Sequence, residues 1–198
     1  FKQKTAYEIV DCDWSSDVCS SDLSNTAVGS SALTSNTTAS NNTAVGYQAG
    51  YSGTTGTDNT ILGYQAGYTN TTASYNVFVG DSAGKTFNTS GNTFNTFVGY
   101  AAGRDTTTGG SNTFIGQQAG LGVTTGSKNT IIGRFDGNSG GLNISTASNY
   151  IVLSDGDGNP RQLNTPNSTW RNQYTFIDRK STRLNSSHSQ QSRMPSSA

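Results

Sequence analysis

The chain has 198 residues, of which 31% are hydrophobic and only 12% charged, against roughly 45–50% and 25% in ordinary globular domains. Formal net charge is zero, which leaves no electrostatic case for a nucleic-acid or membrane-surface partner. The longest apolar runs, such as Ile151-Val152-Leu153, fall far short of the roughly 20 residues a bilayer-spanning helix needs, so no membrane insertion is expected from this segment.

In chain order, the first stretches, KQKTAYEI from Lys2 and DWSSDVCSSDL from Asp13, resemble translated high-throughput sequencing adapter. No apolar signal-peptide region follows Phe1-Lys2-Gln3-Lys4. At the other end DRKSTRLNSSH from Asp178 and SRMPSSA from Ser192 resemble the same adapter in reverse complement. The residues between the adapter parts agree on one index. Ser189-Gln190-Gln191 follow from AGTCAACA plus one adapter base, and its reverse complement TGTTGACT yields Ile9-Val10-Asp11-Cys12. Residues 1–23 and 178–198 are therefore expected to be adapter-derived and disordered, and are set aside as a fusion scar would be. With them go Cys12, Cys19, His188, Met194 and Glu8, so residues 24–177 contain no Cys, His, Met or Glu. Disulfide arithmetic has nothing to count there.

The middle of the chain is a repeat. It reads NTAVGSSAL from Asn25, NTAVGYQAG from Asn42, NTILGYQAG from Asn59 and NVFVGDSAG from Asn76. NTFVGYAAG from Asn95, NTFIGQQAG from Asn112 and NTIIGRFDG from Asn129 follow, with Asn-to-Asn steps of 17, 17, 17, 19, 17 and 17. A degenerate eighth copy, NYIVLSDG, starts 20 residues on at Asn149. Connectors such as YSGTTGTD from Tyr51 have turn chemistry. The Gly, Thr and Asn density excludes helix, and no apolar stripe of 3.6 residues is present.

Each copy carries two adjacent apolar residues before a glycine, and adjacent strand residues face opposite sides. Both faces of each short strand are therefore expected to be buried. About 17 residues suit one turn of a coil with two short strands, whose stacking buries a shared core. The expected fold is an all-β parallel solenoid, or β-roll. One series, Ala27, Ala44, Ile61, Phe78, Phe97, Phe114 and Ile131, or its neighbour, Val28, Val45, Leu62, Val79, Val98, Ile115 and Ile132, should line the interior. The other would form an outer apolar strip that implies self-association. Which series faces which way is left open by periodicity, as is the choice between two and three copies.

The repeat is similar to the head repeats of YadA-like trimeric autotransporter adhesins and to variants in phage tail-fibre proteins. The match rests on the Asn, the apolar pair, the glycine and the small Ala, as in Asn42, Ala44, Val45, Gly46 and Ala49. It covers residues 24–137. The glycines in register are Gly29, Gly46, Gly63, Gly80, Gly99, Gly116 and Gly133. The resemblance implies a left-handed roll, homotrimeric about a fibre axis, that adheres to a host cell surface, matrix protein or glycan. It implies an extracellular location, on a bacterial outer membrane or a virion tail fibre. The turn is longer than in many bacterial heads, which leans the reading towards phage-like or environmental fibres. Phe135-Asp136 replaces Gln-Ala, so the roll is expected to end there, with residues 138–177 as a degenerate last turn and exit segment. The alternative is a purely structural spacer whose binding or self-cleaving part lies elsewhere in a longer protein.

Other motifs have plainer readings. VFVGDSAGKTF from Val77 looks like a phosphate loop, yet Val79 stands where the first Walker A glycine belongs and no helix former follows. It is expected to be an ordinary turn of the repeat. DGDGN from Asp155 opens like a calcium loop, but Pro160 and Pro166 occupy the sixth and twelfth positions. A tight turn beyond the last strand is expected instead. Tyr47, Tyr64 and Tyr100, with Tyr51 and Tyr68, recur at fixed repeat positions. A stacked ladder is favoured over a sugar surface, and the first three are the candidate surface contacts. Lys85, Arg104, Lys128 and Arg134 are scattered among six aspartates, as on a solvated face. No nucleophile stands beside a general base, so neither enzymatic activity, cofactor nor metal is expected. Asn-x-Ser/Thr triplets, Asn167-Ser168-Thr169 among them, are what this composition gives by chance.

Overall fold

The computed structural model describes residues 24–166, and both adapter-like flanks lie outside them. Its strands are β1 (Thr26–Val28), β2 (Thr43–Val45), β3 (Thr60–Leu62), β4 (Thr72–Ser74), β5 (Val77–Val79), β6 (Ser90–Asn92) and β7 (Thr96–Val98). They continue with β8 (Thr113–Ile115), β9 (Thr130–Ile132), β10 (Asn138–Ser139), β11 (Leu142–Asn143), β12 (Ile151–Ser154) and β13 (Pro160–Asn164). Strands β1, β2, β3, β5, β7, β8, β9 and β12 pair in that order, parallel and in register, and β13 closes the sheet antiparallel to β12. The architecture is a β-solenoid of about eight turns, with seven strand steps spanning about 34 Å.

Each turn closes because it bends at a few left-handed backbone positions that recur with the repeat. The residue before each repeat Asn has φ near +60°: Asn41, Asp58, Tyr75, Phe94, Ser111 and Lys128. The Gln48 position does the same in Ser31, Gln65, Ser82, Ala101 and Gln118. The glycine after each strand is more extreme, with φ between +106° and +136° from Gly29 to Gly133. There a Cβ would meet the carbonyl oxygen of the next turn at 2.3–2.5 Å. Only glycine combines that φ with that approach.

A strand of three residues turns only its middle side chain inward. The interior column is therefore Ala27, Ala44, Ile61, Phe78, Phe97, Phe114, Ile131 and Val152, all but Ala27 fully or nearly fully buried. Phe78, Phe97 and Phe114 stack face to face at 5.2 and 4.9 Å. The buried Ala49, Ala66, Ala83, Ala102 and Ala119 belong to the same core, and the glycines that follow three of them, Gly84, Gly103 and Gly120, leave room for the rings of Phe78, Phe97 and Phe114. Burying each ring contributes about 2–3 kcal/mol by area.

A second column is polar. Asn42, Asn59, Asn76, Asn95, Asn112 and Asn129 are buried, and the Oδ1 of each accepts the backbone N–H one turn on at 2.9–3.0 Å. Most of their Nδ2 groups donate to the carbonyl that closes the next connector, as Asn112 does to Gly126 at 2.8 Å. Among the described residues no buried side-chain nitrogen or oxygen lacks a partner, which this column requires, since an unsatisfied buried group costs about 1–3 kcal/mol.

Three expectations change. The strands' outer face is not buried within one chain. Among the described residues a second strand pairs from turn to turn only where β4 meets β6, and β10 and β11 pair with each other inside one connector; other connectors bond turn to turn without strand geometry, as Thr54 N–H does to Thr71 O. After Gly137 comes the degenerate last turn. Phe135 moves into the alanine slot, its carbonyl accepting from Gly120 N–H as Ala119 does from Gly103, and β12 adds this last turn. In that turn Tyr150, not Asn149, aligns with Asn129, because Tyr150 N–H donates to Asn129 Oδ1 at 2.9 Å while Asn149 takes the left-handed slot.

Candidate binding surface

The first and third residues of each strand point out. The Val28, Val45, Leu62, Val79, Val98, Ile115 and Ile132 series thus forms an outer column, with Val28, Val45, Ile115 and Ile132 exposed at 37–45% and the other three half-buried. A threonine column runs beside it, interrupted by Val77 in β5. The two apolar series are thereby sorted: the Ala44, Ile61, Phe78, Phe97, Phe114 and Ile131 series is interior, and its neighbour is the apolar strip on the surface.

Beyond the glycines lies the tyrosine column. Tyr47 and Tyr64 stack at 5.4 Å with 16° between planes, and Tyr51 and Tyr68 stack one column further at 5.1 Å. Between these pairs Gln65 Nε2 donates to Gln48 Oε1 at 2.7 Å. Tyr100 shares the column of Tyr47 and Tyr64, but Asp81 stands between, so the ladder of the three tyrosines is broken. Asp81 accepts from the Ser82 hydroxyl at 2.6 Å. Lys85 makes no ion pair with it among the described residues.

One aromatic pair escaped sequence reasoning. Tyr75 and Phe94, 44% and 56% exposed, stack at 5.3 Å in left-handed positions that neighbouring turns give to Asn, Asp, Ser or Lys. Bulky residues at positive φ are outliers. The signal was available: these are the only two aromatic residues immediately before a repeat Asn in the seven full copies. They flank the 19-residue turn, where Thr93 donates to Asn76 Oδ1 at 2.7 Å and Phe87 packs edge-on against Phe78 and Phe97.

The remaining motifs resolve into turns. In VFVGDSAGKTF the backbone N–H groups of Gly80, Ser82, Ala83, Gly84, Lys85 and Thr86 all donate to carbonyls of the roll, and the Thr86 hydroxyl donates to Arg104 O at 2.7 Å. A phosphate cradle needs such groups free. DGDGN is the turn between β12 and β13, not beyond the last strand. Asp155 caps it by accepting from Asp157 N–H at 3.0 Å and Asn159 N–H at 2.9 Å. Arg161 Nε donates to its other oxygen at 2.7 Å. The Asn159 bond, with Arg161 beside it, holds the Asp155 carboxyl below its ordinary range. Arg104 is clamped by both oxygens of Asp105 at 2.7 and 2.8 Å. Among the described residues no group of three His, Cys, Asp or Glu side chains could hold a metal.

No family model, curated protein or solved structure matches the chain.

Proposed function

We propose that this chain is a non-enzymatic segment of a homotrimeric surface fibre, of the bacterial adhesin or phage tail-fibre kind, whose roll carries a binding surface away from its anchor. Three rolls pack about a common axis and engage a cell surface, matrix protein or glycan by multivalent contact. The reading is supported first by the outer Val/Leu/Ile column, which continues through seven turns with no charged residue in it. A soluble monomer rarely leaves so long an apolar strip open to water. It is supported also by the absence of Cys, His and Glu from residues 24–166.

Sedimentation equilibrium on the chain is expected to give three times the monomer mass. A monodisperse monomer overturns the reading. Val98→Lys, which sets three like charges on the axis of a trimer, is expected to dissolve the assembly while the β-sheet circular dichroism persists. Adhesion is read separately, as binding of the trimer to glycan arrays or host cells. No binding in either format removes the adhesive part and leaves a spacer.

A further inference from the structure

Tyr64, Asp81 and Tyr100 occupy one column on three successive turns. Ser82 N–H donates to Tyr64 O and Ala101 N–H to Asp81 O, each at 2.8 Å, which fixes the backbone alignment. Where two tyrosines of this column stand on adjacent turns, as Tyr47 and Tyr64 do, their rings stack at 5.4 Å and cover each other's faces. Asp81 interrupts this. Its short side chain leaves one face of Tyr64 and the facing side of Tyr100 without an aromatic neighbour among the described residues.

We propose that these three residues form a slot for a quaternary ammonium group. Two strand spacings set the tyrosine positions about 9.6 Å apart. Subtracting half a contact distance at each ring leaves roughly 6 Å, the thickness of a trimethylammonium head. A cation centred there lies about 4.8 Å from each ring, inside the about 6 Å reach of cation–π attraction. A planar guanidinium fills only about 3.5 Å of that gap, and a primary ammonium is held more strongly by water. Asp81 supplies the opposite charge at the floor of the slot. Its carboxylate is oriented by the Ser82 hydroxyl and has no cationic side chain bound to it among the described residues. Tyr64 and Tyr100 are 49% and 52% exposed, so the slot is open to solvent. The proposal concerns one chain and does not depend on the fibre reading.

The test uses the full chain and choline chloride, read by saturation transfer to the N-methyl protons and by calorimetry. The neutral isostere 3,3-dimethylbutanol is the control for charge. Choline is expected to bind at least about tenfold more tightly than the isostere. Tyr100→Gln, the residue this column carries at Gln117, should weaken choline about five- to tenfold. Tyr47→Ser, outside the slot, should change it by less than about twofold. Asp81→Tyr completes the tyrosine ladder with the repeat's own residue and should abolish binding with the circular dichroism unchanged. Should that variant misfold, Asp81→Asn reads the charge alone, and choline should fall to the level of the isostere. Absence of saturation transfer, equal binding of the isostere, equal loss in Tyr47→Ser, or full binding in folded Asp81→Tyr or Asp81→Asn each overturns the proposal.

Discussion

Gly80 shows how little freedom single positions have. Its φ of +134° and the 2.3 Å from a would-be Cβ to Gly99 O mean that any side chain must push two turns apart. Gly80→Ala is expected to cost about 3 kcal/mol, combining the backbone conformation with the clash, and to lower the urea midpoint accordingly. An unchanged midpoint would mean the glycine column is compositional rather than structural. The Asn column is held by a different force. Asn95 accepts from Asn112 N–H at 2.9 Å and donates to Gly109 O at 3.0 Å, both out of water. Asn95→Ala strands that N–H and that carbonyl, at an expected loss of about 2–4 kcal/mol. Amide hydrogen exchange locates it: Asn112 N–H should lose protection first, whereas loss spread evenly over all turns would argue against a local hydrogen-bond role.

Within a turn, strand and connector exchange volume. A Cβ on Gly103 would lie 2.6 Å from the Phe97 ring, so the glycine is the space the ring occupies. In the first turn the interior residue is only Ala27, and Leu33 sits where later turns have glycine, at a φ of 50°. Between these regimes, beside Leu33, Gly50 and Ile61, a void of about 10 Å³ remains, room for one water at most. Phe97→Ala, in the middle of the stack, is expected to cost about 3–5 kcal/mol, with Phe97→Leu costing clearly less. Equal melting of the two variants would show that the rings are not packed as a column. Much of this was legible beforehand. The 17-residue period dictates a parallel register, and the paired apolar residues dictate one inward and one outward series. Their directions were not legible, because a period of two treats both faces alike. The Asn ladder was hidden by an Asn-rich composition, in which recurrence alone does not separate a buried amide from a turn residue. The last strand, β13, pairs antiparallel and carries no repeat signature, so its hairpin turn at Asp155 looked like a tail. The Tyr150 register was missed because a 21-residue step, lengthened by the β10–β11 hairpin, brings Asn149 within one residue of the expected place. At the surface, the column of Tyr47, Tyr64 and Tyr100 was legible, whereas the consequence of Asp81 within it required the stacking distance.

The whole molecule rests on neutral ladders, and its response to pH follows. Residues 24–166 contain six aspartates, two lysines and three arginines, with no His, Cys or Glu. They thus hold no residue type that ordinarily titrates between about pH 5 and 9. The ion pairs found among them, Arg104 with Asp105 and Arg161 with Asp155, are local and solvent-facing, and such exposed, screened pairs contribute little to stability. The melting temperature of the roll is therefore expected to stay nearly constant from pH 5 to 9 and to respond weakly to salt. Acid should act at one end. Asp155 has a folded-state value below its ordinary one, so its contribution is fully present above the unfolded-state value, near 3.9. That contribution is lost as pH falls through the folded-state value. Its partners are the turn amides of Asp157 and Asn159 and the Arg161 guanidinium, so the part loosened is the turn of the β12–β13 hairpin. Hydrogen exchange compared at pH 5 and at about pH 2.5, after correction for intrinsic rates, should show lost protection confined to residues 151–164, with β5, β7 and β8 unchanged. Uniform loss along the roll would place acid sensitivity in the ladders themselves, and a melting temperature that moved strongly between pH 5 and 9 would contradict a fold stabilised by uncharged amides and stacked rings.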